Sequence, residues 1–157
     1  MLASWLIIDG NNLLHSDPGL APLVRNNFSL ARNELVRRLE ELLGLMADRI
    51  TVVFDGTLGG KQTGFESSAV EVFFTSADVS ADAAVERLAS DAANPQSVLV
   101  ISSDRLERHT VEAAGIRSLS CRSFLEEVTL AQDSLRKRIQ NTTRKPGTRG
   151  TLGEFFP

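Results

Sequence analysis

An α/β fold, a mainly parallel sheet with helices on both faces, is what this sequence predicts. Three observations carry the prediction. Short, largely apolar runs at residues 5–8, 50–54 and 98–101, interrupted only by Thr51, read as strands buried on both faces. Segments with helical spacing alternate with them, which is the pattern of parallel strands joined by crossover helices. Each of the three runs then gives way to a turn-forming stretch that carries a carboxylate: Asp9, Asp55 and Asp104.

In chain order, "WLII" is the first strand. Ser29 is placed to cap a helix whose Leu35, Leu39, Leu42 and Met46 recur at helical spacing. Residues 50–54 form the second strand. The glycine-rich loop "DGTLGGKQTGFESS" follows, and residues 69–74 form the third strand. Ser80 caps a helix reaching residue 93, which Asn94-Pro95 ends. Residues 98–101 are the fourth strand, 104–114 a helix closed by Gly115, and 116–119 a short fifth strand. A last helix over 122–140 places Phe124, Leu125, Val128, Leu135 and Ile139 at apolar positions. The remaining "NTTRKPGTRGTLGEFFP" has no period. The expected organisation is one domain of about five strands over 1–140 and a flexible basic tail over 141–157.

The chain has 157 residues, 42 % of them apolar and 24 % charged, which is the makeup of a soluble globular domain. No apolar run approaches the roughly 18 residues of a membrane helix. The N-terminus enters a strand pattern without a basic leader, so no signal peptide is expected. Cys121 is the single cysteine. That excludes an internal disulfide and a cysteine-rich zinc site, and it points to a reducing cytoplasm. His15 and His109 are too few for a histidine-based metal site. The net charge of −3 hides an asymmetry: residues 134–157 carry six Lys/Arg against Glu154 alone. A basic end on an acidic body suggests a polyanion partner.

In a parallel sheet with right-handed crossovers the strand C-termini share one edge, where ligands of open α/β sheets bind. Asp9, Asp55 and Asp104 therefore converge there. Asp82, in the first turn of its helix in "SADVSADAAVERL", and Glu86 one turn on add to the negative charge. Each has a local alternative. Asp9-Gly10 and Asp55-Gly56 are turn chemistry, Asp82 serves its helix dipole, and Asp104 with Glu107 three residues on is a capping arrangement. Several carboxylates at one edge cannot all stay ionised unless protons or a cation compensate them. Hard divalent ions such as Mg²⁺ or Mn²⁺ take oxygen ligands together with substrate phosphates. Without a histidine, cysteine or serine triad, such a site suits metal-dependent phosphodiester hydrolysis by activated water. A haloacid-dehalogenase reading of "VVFDGT" fails because Val53 stands where the nucleophilic aspartate belongs. Lys61 is followed by Gln62 rather than Ser/Thr, against a phosphate loop, and no GxGxxG follows the first strand, so no small organic cofactor is expected.

"IIDGNNLL", "VVFDG", "SADAAVERL" and "VISSD", in this order, resemble the YacP-like branch of the NYN domain family, within the PIN-like nuclease superfamily. The resemblance implies a three-layer α/β/α fold, an acidic Mg²⁺ or Mn²⁺ site and endoribonuclease activity on single-stranded RNA, with some members linked to ribosome-associated mRNA decay. It makes Asp9, Asp82 and Asp104 the metal carboxylates and Asp55 a further site residue. Asn11 and Ser102 are the polar supporting residues it implies, with Asn12 at the motif's asparagine position; Ser103 and Glu86, beside Ser102 and Asp82, complete the supporting set. One departure stands out: Asn11 occupies the position usually held by an aromatic, in a chain with no tyrosine. Phosphate contacts then fall to cations, with Arg105, Arg108, Lys61 and Arg25 as candidates. The expected activity is a metal-dependent endoribonuclease. The alternative is a catalytically weak or inactive RNA- or ribosome-binding module of the same fold.

Overall fold

The chain starts its first helix one residue after its first strand ends, and Asp9 is the cause. In the computed structural model, which describes residues 1–56 and 68–149 (side chains of 144–149 excepted), β1 spans Trp5–Asp9 and α1 spans Gly10–Ser16. Asp9 Oδ1 accepts from the Asn12 N–H at 3.1 Å, so the local role of this residue is that of a helix N-cap rather than the turn offered as its alternative. Two short elements the sequence left as loop follow from this, α1 and α2 (Ala21–Asn26). α3 (Phe28–Glu40) is capped by Asn27 rather than Ser29, with the Asn27 side chain accepting from the Leu30 N–H. It ends at Glu40, so Leu42 and Met46 are buried from the following turns instead of from the helix.

The remaining elements keep the expected order: β2 (Arg49–Phe54), β3 (Glu71–Phe74), α4 (Ala81–Ser90), β4 (Val98–Ile101), α5 (Arg105–Ala113), β5 (Arg117–Leu119) and α6 (Cys121–Arg149). Ser80 caps α4 and Asp104 caps α5. Gly115 closes α5 at φ +86°, a conformation glycine adopts without strain. α6 continues past Gln140, where the sequence loses its period, to Arg149. Residues 57–67, with Lys61, and 150–157 lie outside the described residues.

The chain divides into two units, Met1–Leu125 and Glu126–Pro157. The first holds a five-stranded, all-parallel sheet in the order β3-β2-β1-β4-β5. Strand residues alternate between its faces. Ile7, Val53, Val98 and Val100 pack with Val85 and Ala89 of α4 and Val111 of α5. On the other face, Phe54 stacks on Phe74, and Arg32 of α3 lies over the Phe74 ring. α1 joins that face: a Cβ on Gly10 would stand 2.5 Å from Phe54 Cε1 and 2.9 Å from Val52 Cγ2. Helix propensity favours alanine at this position, but Phe54 is fully buried and has nowhere to go. Gly10→Ala is therefore expected to destabilise the fold by about 1–3 kcal/mol, read as a lower urea midpoint at unchanged slope. In the second unit Arg136 pairs with Asp133 at 2.9 Å. No helix among the described residues is long and apolar enough to cross a membrane.

The strand order reverses between β1 and β4, because the chain builds outward to β2 and β3 on one side and to β5 on the other. Their C-terminal ends therefore open the crevice in which ligands of such sheets bind.

Candidate metal centre

Three carboxylates meet in that crevice. One oxygen each from Asp9, Asp82 and Glu107 lie within 4.8 Å of one another. Each is held at the start of a helix. Asp9 caps α1, Asp82 is in the first turn of α4, and Glu107 is in the first turn of α5. Three helix N-termini thus point partial positive charge at the cluster. Asp9 and Glu107 are nevertheless buried, at 1 % and 2 % exposure, and an oxygen of each, Asp9 Oδ2 and Glu107 Oε1, has no hydrogen-bond partner.

Burial dominates their acidity. It pushes Asp9 up to about 7, helped by the neighbouring Asp82 carboxylate and opposed by the Asn12 amide. It pushes Glu107 up to about 9, opposed by the Ser102 hydroxyl and reinforced by the charges of Asp9 and Asp82. A proton count agrees. Ser102 Oγ lies 2.8 Å from Asn12 Oδ1 and 2.7 Å from Glu107 Oε2, and it accepts from the Asp104 N–H at 3.0 Å. Asn12 Oδ1 is fixed as an acceptor by the Ser103 N–H at 2.9 Å. One hydroxyl hydrogen cannot serve both oxygens, so the network closes only when Glu107 carries a proton of its own.

Both groups bind protons more tightly folded than unfolded, which sets the sign of a pH effect. The stabilisation is complete below about pH 4 and is lost as pH rises through about 7 and then about 9. The metal-free protein is expected to lose a few kcal/mol between pH 5 and 9, since one pKa unit is about 1.4 kcal/mol. Thermal melts in EDTA across that range check it, and a stability that rises with pH would contradict it. A cation entering the cluster would have to displace these protons, so its apparent affinity would rise with pH.

The sequence-derived residues divide. Asp9 and Asp82 belong to the cluster; Asp104, Asp55 and Glu86 do not. Asp104 spends Oδ1 on the Leu106 and Glu107 N–H groups of α5. The Asp55 N–H donates to Asn11 Oδ1 at 2.9 Å, so Asn11 ties the end of β2 to α1. Asn12, Ser102 and Ser103 form the network that holds Glu107. Arg108 Nη1 donates to the Ser102 carbonyl at 2.8 Å and braces that loop, whereas Arg105 and Arg25 are exposed. Glu107 is the residue sequence reasoning passed over. Its spacing from Asp104 fits a capping box, but the Asp104 N–H goes to Ser102, which frees Glu107 to turn inward. Cys121 is buried and its thiol is pushed up to about 12, which makes it a poor nucleophile.

The arrangement fits a hard divalent ion. It offers three convergent carboxylates, two of them with an unsatisfied oxygen, and no histidine or cysteine joins them among the described residues. A family model described as the YacP-like NYN domain matches residues 6–153. The uncharacterized protein YacP of Bacillus subtilis (strain 168) is 31 % identical over 95 % of this chain and 89 % of its own length. The crystal structure of Rae1 (YacP) from Bacillus subtilis superposes with a TM-score of 0.74 at 29 % identity, covering 98 % of this chain and 90 % of that one. Its W164L mutant gives 0.71 at 30 % identity, over 96 % and 88 %.

Proposed function

The chain belongs to the YacP-like NYN domain family, a nuclease-type domain, and on that premise we propose that it is a metal-dependent endoribonuclease cutting single-stranded RNA. The observation that carries the proposal is the pair of buried, unpartnered oxygens, Asp9 Oδ2 and Glu107 Oε1, beside Asp82. A buried polar atom without a partner costs about 1–3 kcal/mol. A fold that keeps two of them in one crevice is holding them for a ligand of opposite charge.

Asp9, Asp82 and Glu107 would hold Mg²⁺ or Mn²⁺. The ion, when bound, supplies neutralisation of phosphodiester charge and activation of water. The protein's own groups do the rest. Asn12 and Ser102 orient Glu107 and take up the rearrangement when its proton leaves. Arg108 fixes the loop that carries Ser102. Asp104 and Asp55 stand at the rim rather than in the cage. Arg105, exposed in the first turn of α5, is placed for a phosphate beside the helix N-terminus. The ribosome is the proposed setting in which the enzyme meets RNA, in keeping with the basic composition of residues 134–157.

A labelled single-stranded oligoribonucleotide tests the reading. Cleavage in Mn²⁺ should stop in EDTA and return when Mn²⁺ is added back. Undiminished cleavage in EDTA would overturn it.

A further inference from the structure

α4 lies over β1 and β2, and among the described residues one face of the edge strand β3 is left largely uncovered beside it. The result is a groove of about 650 Å³, in the size range of small-molecule clefts. Phe73 and Val79 line it, with Ala84 and Leu88 of α4 along the opposite wall and Arg87 at its side. Phe73 is 47 % exposed and is the only large aromatic exposed among the described residues. A bare phenyl ring on an edge strand is an aggregation hazard that folds normally cover or charge. Its position is informative. Asp9 pairs with Val53, and Val53 pairs with Phe73, so Phe73 shares a face and a cross-strand row with the metal carboxylate. Two strand spacings, about 10 Å, separate them. α4 presents Asp82 to the acidic cluster from one flank and Ala84, Arg87 and Leu88 to the groove from the other. Arg87 makes no ion pair among the described residues.

We propose that this groove is a nucleobase subsite in which a base next to the cleaved phosphate stacks on Phe73 while Arg87 meets the strand's backbone. The proposal rests on the reading of the chain as a single-strand ribonuclease. It supplies the stacking surface that the first motif, with Asn11 in place of an aromatic and no tyrosine in the chain, does not. Stacking on an aromatic face accepts any base, so the subsite would position RNA without reading its sequence.

Phe73→Leu keeps apolar bulk and removes the π face; Phe73→Trp enlarges it. With a short single-stranded oligoribonucleotide in Mn²⁺, Phe73→Leu is expected to raise KM about tenfold with little change in kcat. Phe73→Trp should cleave like the wild type, and its added fluorescence should be quenched when oligo(A) is titrated in EDTA. Arg87→Gln, an exposed change with no packing to lose, should raise KM and flatten the salt dependence of binding. An unchanged KM in Phe73→Leu together with no quenching in Phe73→Trp would overturn the subsite and leave the groove to a protein partner or a second copy of this chain. Quenching by oligo(A) in a protein that cuts no RNA would support the subsite while the nuclease reading fails.

Discussion

Asp9→Asn is expected to leave the protein folded and to lower RNA cleavage about a thousandfold or more. Asparagine caps helices as well as aspartate does, so the Asn12 contact that starts α1 survives. What is lost is one negative oxygen in the cage, and electrostatic stabilisation by a bound ion is worth several kcal/mol in the transition state, each 1.36 kcal/mol a factor of ten. The same change removes a buried acid that is destabilising when ionised. The variant's metal-free melting temperature at pH 8 should therefore exceed that of the wild type, because the group whose folded pKa lies near 7 no longer has to ionise. Cleavage assays in Mn²⁺ and melts in EDTA read the two effects separately. A variant that melts no higher than the wild type at pH 8 and cleaves RNA undiminished would mean that Asp9 serves only as a cap.

Glu107→Gln should be equally silent in structure and nearly as severe in function. Glutamine imitates the protonated carboxyl that the Ser102 network requires, so the loop between β4 and α5 keeps its bonds. The ion loses a ligand outright. Outer partners of metal ligands alone are worth 10–100-fold, so Mn²⁺ affinity should fall at least about a hundredfold, by calorimetry at pH 7.5. Asp104→Asn makes the contrast. Its side chain would still accept from Leu106 and Glu107, and Mn²⁺ binding should be kept, with cleavage reduced less than about tenfold. If Asp104→Asn releases the ion and Glu107→Gln holds it, the cage is wrongly assigned.

These two residues also mark where the sequence was legible and where it was not. The central strands could be read because β1 and β4 are short, almost wholly buried apolar runs and β2 is nearly so, the pattern of a parallel sheet covered on both faces. Parallel topology gathers the strand ends at one edge, and of the three carboxylates there only Asp9 joins the cluster; Asp82 comes to it from the first turn of α4. α1 and α2 escaped notice because they are only seven and six residues long, too short for periodicity to show, and α1 starts directly at the end of its strand. That Glu107 rather than Asp104 joins the cluster has a subtler reason. Spacing shows that one caps and one is three residues on, but not which of the two side chains turns toward the sheet. That choice is made by Ser102, which takes the Asp104 N–H and offers its hydroxyl to Glu107, a contact between residues that no local rule pairs.

A crystal soaked in Mn²⁺ and measured at the manganese edge tests the central claim most directly. The expected result is one anomalous peak bonded to oxygens of Asp9, Asp82 and Glu107, with Ser102 Oγ turned toward Glu107 and its bond to Asn12 lost. A crevice with no peak, or a peak held by Asp104 and Asp55 while Glu107 remains protonated against Ser102, would contradict the account.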